Sequence, residues 1–335
     1  MEEKGRIGIP KALMYYRYFP LWRTFFEALG WSVIVSDGLG KTGRIIYFED
    51  SCLPMKLLVT HALSLKDEVD HLFVPRLVSL HRTYMMCPKF RGAPDIVRLA
   101  TEGHLSIIDE TIDLRVRGNS LLRSFLKIGE KLGASKKEAK RALISGEQSY
   151  LKFKKEWMDR INLLPVKDLF QINIPAPSKG KRSTWRVALV GHPYNLFDND
   201  INKDILTMTR NLGIEIVTSD LLSEKEIDRQ ISDLSKEIYW SSGREIVGAL
   251  FHFLNGGVDG VVFLTSFKCG IDALLQEFIK RRLKIRGELP IPFLVLSFDE
   301  HTGREGLVTR LEAFKDVMEQ RKAPNSKHQI SNKSQ

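Results

Sequence analysis

Residues 7–37 read "IGIPKALMYYRYFPLWRTFFEALGWSVIVSD". A short β-like run precedes Pro10, an aromatic-rich stretch with helical spacing follows, and Gly30 stands where a helix is expected to end. The final residues, "WSVIVSD", are rich in the β-branched side chains that are typical of a strand. This order of strand, loop, helix, glycine and strand predicts a parallel β–α–β unit.

Residues 188–220, "ALVGHPYNLFDNDINKDILTMTRNLGIEIVTSD", repeat this order and also end in Ser-Asp. Further buried strands are predicted at "VDHLFVPRLVSL", "VDGVVFLTSFKCG" and "IPFLVLSF", each separated from the next by helical patterns. The sequence therefore predicts an α/β fold of two related Rossmann-like (flavodoxin-like) open parallel-sheet domains with a helical middle segment. In such sheets, ligands bind in the crevice beyond the carboxyl ends of the strands.

Composition along the chain predicts where these parts begin and end. The expected divisions are a first α/β domain at 1–102, a helical segment at 103–172, a linker at 173–184, a second α/β domain at 185–320 and a disordered tail at 321–335. Ser135 and Glu138 have the spacing of a capping box at the start of a long helix. The linker is predicted because "NIPAPSKGKRST" is rich in Pro, Gly, Ser and Lys.

Charge and composition limit the classes of function. The chain carries 51 Lys and Arg against 41 Asp and Glu, and the excess is concentrated between Arg115 and Arg160. A basic stripe can attract nucleic acid, an acidic partner or an anionic cofactor such as coenzyme A, but a solvated helical face is the favoured interpretation. No nucleic-acid motif, membrane-length apolar run or P-loop occurs, so we expect neither nucleic acid nor membrane as a partner. An odd number of cysteines and an N-terminus without a signal core predict a cytoplasmic protein.

Only three cysteines occur, in "SCLPMK" (Cys52), "MCPKF" (Cys87) and "KCGID" (Cys269). They are too far apart in sequence for a zinc finger or a CxxC pair. Cys52 and Cys269 directly precede predicted helices, whose N-termini stabilise thiolates through the helix dipole and free N–H groups. The residues alone leave two interpretations open, namely three buried apolar thiols or one metal site assembled from distant loops.

Other polar residues stand at predicted strand ends. In "DEHTG", Glu300 and His301 could act as acid or base, or as a hydrogen-bond donor, beside such a site. Alternatively, this loop could simply cap a helix through Asp299 or Thr302. In "GHPYN", Tyr194 and Asn195 could contact a bound cofactor or fix the loop. Further candidates are Gly270 for close approach of a bulky group, Lys56 and Arg91 as balancing charges, Asp272 as support for a helix start, and His81 as a fourth ligand.

The segments "RIGIPKALMYYRYFPLWRTFFEALGWSVIVSD", "SCLPMK", "CPKFRGAPDIVR", "VGHPYNLFDNDIN", "FKCGIDALL" and "SFDEHTGREGLVTRLEAF" together resemble the acyl-CoA dehydratase activase-related proteins. These are relatives of the iron–sulfur subunits of 2-hydroxyacyl-CoA dehydratases and benzoyl-CoA reductases. The resemblance extends over residues 5 to 320, in the same order.

The resemblance implies that Cys52, Cys87 and Cys269 are the ligands of one [4Fe–4S] cluster between α/β domains. It also implies low-potential electron transfer or reductive chemistry on an acyl-CoA, with a separate ATP-hydrolysing activator as partner and a homodimeric or heteromeric assembly. The chain would then be a dehydratase-like or reductase-like component that works in anaerobic metabolism. The alternative is a non-catalytic iron–sulfur scaffold or accessory subunit, since the resemblance alone does not transfer a reaction.

Overall fold

The structure is a computed structural model and describes residues 4–37, 45–46, 48, 50–171, 183–234, 236–286 and 291–322. The predicted linker at 173–184 lies outside the described residues except for 183–184. The predicted tail at 321–335 also lies outside them, except that 321–322 end the last helix. The predicted division into domains therefore stays a prediction.

Strands and helices alternate along the described chain. The strands are β1 (Arg6–Ile9), β2 (Ser32–Val35), β3 (His71–Phe73), β4 (Arg76–Ser79), β5 (Ser106–Ile108), β6 (Thr111–Asp113), β7 (Trp185–Gly191), β8 (Ile214–Thr218), β9 (Gly260–Ser266) and β10 (Phe293–Phe298). The helices are α1 (Tyr15–Ala28), α2 (Leu53–Ser64), α3 (Pro88–Ala100), α4 (Leu121–Lys131), α5 (Lys136–Leu163), α6 (Pro193–Phe197), α7 (Asn199–Asn202), α8 (Ile205–Asn211), α9 (Glu224–Ile231), α10 (Ser241–Leu254), α11 (Gly270–Arg286) and α12 (Arg304–Lys322).

Two four-stranded parallel sheets form the frame of the described residues. Their strand orders are β2-β1-β3-β5 and β8-β7-β9-β10, so each sheet has the order second, first, third and fourth along the chain. A third, two-stranded parallel sheet pairs β4 with β6. The predicted α/β class with parallel sheets and helices is confirmed. In each large sheet the second strand lies on one side of the first strand, and the third strand lies on the other side. This change in the direction of strand order opens a crevice at the carboxyl ends of the first and third strands.

Three local predictions were wrong, each for a physical reason. The stretch "VDHLFVPRLVSL" was expected to form one strand, but it forms β3 and β4 in different sheets, because Pro75 has no N–H to continue a ladder. The segment 103–172 was expected to be helical, but it begins with β5 and β6, and its helices start at Leu121. The predicted helix in "INKDILTMTRNLG" is broken where Lys203 and Asp204 adopt left-handed backbone angles.

Aromatic residues of α1 lie in the hydrophobic core rather than on the surface. Phe25 and Phe26 are fully buried, and the same cluster of buried residues extends to Leu189 and Leu264 of the second sheet. Helix α5 packs on α1 closely enough that a Cβ at Gly146 would lie 2.8 Å from the Leu21 carbonyl oxygen. This core cluster therefore spans both halves. The basic side chains between 115 and 160 lie mostly on exposed positions of α4 and α5, as a solvated helical face requires.

Contacts between the halves also occur outside the core. Met85 forms a parallel bridge with Trp240, and its backbone bonds to Tyr239 and Ser241 at 3.2 and 2.9 Å. Arg17 of α1 forms an ion pair of 2.6 Å with Glu245 of α10. These contacts join the two halves beside the loop that carries Cys87.

Candidate metal centre

Each of the three cysteines stands at the residue directly before a helix. Cys52 precedes α2, Cys87 precedes α3, and Cys269 precedes α11. The thiols face backbone N–H groups of the first helical turn, which belong to Met55, Lys89 and Asp272 respectively. The N–H groups of a first helical turn and the helix dipole make these positions favourable for negative sulfur.

The structure brings the three thiols into one electrostatic environment. Cys87 lies close enough to contribute to the raised pKa of Cys52, and both contribute to the raised pKa of Cys269. Cys52 is buried, and the other two are partly buried. Burial raises the pKa of each thiol above its ordinary value, so the metal-free site holds neutral thiols. A metal that binds here must therefore displace protons.

One cation lies beside the cysteines, and it is not one that the sequence singled out. The Lys89 ammonium donates to the Asp50 carbonyl at 3.0 Å and the Ser51 hydroxyl at 3.2 Å, and its charge opposes the rise in the pKa of Cys52. Lys56, expected to balance a metal site, forms a partly buried ion pair with Glu300. The side chain of Arg91, the other expected cation, is exposed.

A second group of metal-binding side chains adjoins Cys269. One ligand atom each of His192, Cys269 and Asp272 lie within 4.8 Å of one another, and we call these three residues the His–Cys–Asp triad. The Nε2 atom of His192 lies 2.9 Å from the Oδ1 atom of Asp272. These two atoms are not aligned as a hydrogen bond, and neither has another hydrogen-bond partner among the described residues. A triad of this composition could bind a metal ion.

The position of the triad follows from the topology of the second sheet. His192 follows β7 and Cys269 follows β9, and these two strands are neighbours, with Gly191 opposite Leu264. A Cβ at Gly191 would lie 2.6 Å from the Leu264 carbonyl oxygen, so only glycine fits there. The triad therefore lies at the crevice between the first and third strands, where parallel sheets place their ligands.

Tyr194 and Asn195 both lie at this site. The Tyr194 ring stacks on His192 with centroids 4.8 Å apart, and its pKa is raised by burial and by the nearby charges of Cys269 and Asp272. Asn195 donates to the Asp272 Oδ2 atom at 3.4 Å and accepts from the Ser266 hydroxyl at 2.6 Å. Asn195 thus acts on the site through Asp272. Its role as a direct cofactor ligand stays a prediction.

Asp272 lies in the first turn of α11, where it was expected to support the helix start, and it also bonds to β9. Its Oδ2 atom accepts the backbone N–H of Ser266 at 3.1 Å, which ties α11 to the end of β9. A Cβ at Gly270 would meet nothing within 4 Å in the described chain, so the protein's own atoms do not require glycine there. The space beside it is open to a ligand.

Glu300 and His301 lie in the loop after β10. Burial raises the pKa of Glu300, but the hydrogen bond and charge of Lys56 outweigh it and hold the pKa below its ordinary value. The backbone N–H of His301 donates to Asp299 at 3.0 Å, and its side chain is exposed. The catalytic roles predicted for these two residues stay predictions.

The histidine that the structure brings to the cysteines is His192 rather than the predicted His81. His81 Nδ1 instead accepts the Thr83 N–H at 3.0 Å, and its ring packs on Tyr84. His192 could have been found in the sequence, because it begins the "HPYN" loop from which Tyr194 and Asn195 were chosen. The signal was its position directly after a buried strand.

Comparisons with known proteins give distant structural similarities and one family. The chain is similar to the SBP FpvC from Pseudomonas aeruginosa, solved in complex with Mn²⁺, at 12% identity and a TM-score of 0.27, over 94% of this chain and 98% of that one. It is also similar to the periplasmic zinc binding protein TroA from Treponema pallidum at 8% identity and a TM-score of 0.28, over 94% and 99% of the two chains. TM-scores this low support no inference about the fold or the ligand of this chain.

None of the curated proteins matches this sequence. Among the described helices, none combines the length and apolar character that crossing a membrane requires. Residues 6–222, well over half of the chain, match the model of one protein family. The chain therefore belongs to the family described as "CoA enzyme activase uncharacterised domain (DUF2229)".

Proposed function

We propose that Cys52, Cys87 and Cys269 hold one [4Fe–4S] cluster, and that the chain is a component of low-potential electron transfer or reductive chemistry. The observation that carries this proposal is the convergence of the chain's only three thiols, each at a helix N-terminus, in one electrostatic environment. A [4Fe–4S] cluster is usually held by four thiolates, one on each iron. The three cysteines would therefore leave one iron without a thiolate ligand. Family membership supports a relation to acyl-CoA dehydratase systems.

The residues around the thiols fit such a group. Backbone N–H groups at the starts of α2, α3 and α11 face the sulfurs and can stabilise negative charge on them. Lys89 supplies a positive charge, and the partial burial of the thiols limits access of water. When bound, the cluster would supply a one-electron donor or acceptor, whose potential these hydrogen bonds and this burial would tune.

The proposal also includes a superfamily, a substrate and an electron donor. We assign the chain to the superfamily of 2-hydroxyacyl-CoA dehydratase and benzoyl-CoA reductase iron–sulfur subunits, with an acyl-CoA as substrate and an ATP-hydrolysing activator as electron donor. The matched activase family supports both partners. The identical strand order of the two large sheets supports two related Rossmann-like domains. An odd number of cysteines supports a cytoplasmic location.

A non-catalytic scaffold is the second candidate, and one observation favours it. Cys52 and Cys87 come from the first half of the chain, whereas Cys269 comes from the second half, beyond β9. A cluster held by all three would therefore join the two halves whether or not it reacts with a substrate. Binding of such a group would then contribute to folding stability.

The first experiment is anaerobic reconstitution with iron and sulfide, followed by metal and sulfide analysis and a visible spectrum. We expect about four irons and four sulfides per chain. Each of the single variants Cys52→Ser, Cys87→Ser and Cys269→Ser should lose most of this content, while the control His104→Ala, at an exposed histidine, should keep it. Far fewer than about four irons in the native chain after careful reconstitution would overturn the proposal.

A second measurement separates the enzyme from the scaffold. Acyl-CoA is added to the reduced, reconstituted protein while its paramagnetic spectrum is recorded. A changed spectrum supports a metal corner that substrate can reach. An unchanged spectrum, together with a rise in the unfolding midpoint on reconstitution, supports the scaffold.

A further inference from the structure

The donor spacing of the His–Cys–Asp triad suits a single metal ion. Its three ligand atoms lie within 4.8 Å of one another. A tetrahedral zinc ion, with bonds of about 2.0–2.3 Å, spaces its donors by roughly 3.5 Å. Cubane ligation spreads its terminal sulfurs over roughly 6–7 Å. His192, Cys269 and Asp272 are therefore grouped more tightly than the corners of a cluster.

Two atoms of the triad lack hydrogen-bond partners although they are buried. The residues His192 and Asp272 are 2% and 1% exposed, and neither the Nε2 atom of the first nor the Oδ1 atom of the second has a hydrogen bond within the described chain. The two atoms lie 2.9 Å apart, and no other group in the described chain forms a hydrogen bond with either. A cation bound by both atoms would give each of them a partner.

The surrounding residues fix the triad as supporting shells fix metal ligands. The other carboxylate oxygen of Asp272 is held by the Ser266 N–H and by Asn195, which leaves Oδ1 directed at the triad. Tyr194 stacks on the His192 ring with an interplanar angle of 13°. Each of the two buried ligands thus has its orientation set by a neighbour that does not itself need to bind metal.

We propose that His192, Cys269 and Asp272 bind one divalent transition-metal ion, such as Zn²⁺ or Fe²⁺, in the chain that carries no cluster, with water at the fourth position. One thiolate and one carboxylate neutralise the charge of the ion, and imidazole with thiolate selects such metals over Mg²⁺ or Ca²⁺. Because the site needs Cys269, the single ion and the proposed cluster exclude each other. The inference does not rest on the proposed function, because Cys52 and Cys87 take no part in it.

Cobalt(II) titration of the metal-free protein under anaerobic conditions tests the proposal. We expect one Co²⁺ per chain, with a thiolate-to-cobalt charge-transfer band of single-thiolate intensity. The double variant Cys52→Ser/Cys87→Ser should give the same band and affinity, although it cannot hold the cluster. Loss of binding in this double variant, or a weaker band in it than in the native chain, would overturn the triad.

Variants of the proposed ligands provide a second test of the metal site. Asp272→Asn and His192→Gln should each lower Co²⁺ affinity at least about tenfold, since removing even a supporting residue of a metal site costs 10–100-fold. His104→Ala, a matched change at an exposed histidine, should leave affinity unchanged. Equal affinity in all three variants would contradict the proposal.

A measurement that needs no ligand variant covers the case in which those proteins fail to fold. X-ray absorption of the Zn²⁺-loaded double variant Cys52→Ser/Cys87→Ser should show one sulfur neighbour, with nitrogen and oxygen as the rest. A first shell without sulfur would overturn the proposal. The cobalt and zinc experiments test the His–Cys–Asp triad, whereas the iron and sulfide analysis tests the cluster. Failure of one proposal can therefore be distinguished from failure of the other.

Discussion

Asn195 accepts a hydrogen bond of 2.6 Å from the hydroxyl of Ser266, and this contact joins the carboxyl ends of β7 and β9. The same amide donates to the Leu264 carbonyl at 3.3 Å and to Asp272 at 3.4 Å. Asn195 is fully buried, so all these bonds form away from water. The Asn195 side chain therefore links the ends of β7 and β9 to Asp272 at the candidate metal centre.

Replacing Asn195 by alanine should weaken both the fold and the site. Buried partners left without hydrogen bonds should lower the free energy of unfolding by about 1–3 kcal/mol, measured by urea denaturation of the metal-free chain. Loss of the support to Asp272 should also lower Co²⁺ affinity by about 10–100-fold. Asn211→Ala, at an exposed position, serves as the control. Unchanged stability and affinity would show that the amide has no such role.

Replacing Gly191 by alanine should disrupt the pairing of β7 with β9. The added Cβ would lie 2.6 Å from the backbone oxygen of Leu264, and a backbone atom cannot move aside without distorting the sheet. Overpacking of this kind costs about 1–3 kcal/mol in unfolding free energy. At Gly306 of α12 a Cβ meets nothing within 4 Å, so the matched change Gly306→Ala should be neutral or stabilising. Equal unfolding midpoints for the two variants would contradict this account.

His61 should make the native state less stable in acid. Burial lowers the pKa of this imidazole to about 4, with a smaller contribution from Lys11. The unfolded chain therefore binds the proton near pH 6.5 and the native chain only near pH 4, so stability falls as the pH drops through that window, by about 1.4 kcal/mol per unit at most.

The measurement for His61 is the difference in unfolding free energy between the native chain and His61→Gln at several pH values. Taking the difference is necessary because Asp198 acts in the opposite direction. Burial, aided by the charge of Asp200, raises the pKa of Asp198 to about 7, so its contribution to stability is lost as the pH rises from 4 to 7. A difference that stays constant between pH 4 and 7 would contradict the prediction for His61.

The ion pair of Lys56 with Glu300 should contribute measurably to stability, because the lysine side chain is only 2% exposed. A double-mutant cycle of Lys56→Met, Glu300→Gln and the combined variant should give a coupling energy of about 1–3 kcal/mol in urea denaturation. Effects that add to within about 0.5 kcal/mol would show that the pair is not coupled.

Sequence patterns predicted the parts of the fold that depend on neighbouring residues. The left-handed Gly30 after α1 and the Ser135–Glu138 capping box of α5 are both found. The same local reasoning placed Cys52 and Cys269 directly before helices. Such features need only helix geometry and hydrogen-bonding groups a few residues apart.

The residues that the sequence did not reveal depend on tertiary pairing. His192 and Asp272 meet because β7 and β9 are neighbours in the sheet, and nothing within either stretch shows that order. Lys56 lies four residues after Cys52, but its ammonium pairs with Glu300, which lies in the loop after β10. Which polar residues share a crevice is thus set by strand order, whereas which residues begin a helix is set locally.

The most direct test of the central claim is an anomalous difference map at the iron edge from anaerobically grown crystals of the reconstituted chain. The proposal predicts one compact peak, with the strength of about four irons, contacted by Cys52, Cys87 and Cys269. A peak with the strength of a single iron at His192, Cys269 and Asp272 would support the His–Cys–Asp triad and contradict the cluster. The absence of any peak at the three cysteines would contradict the cluster as well.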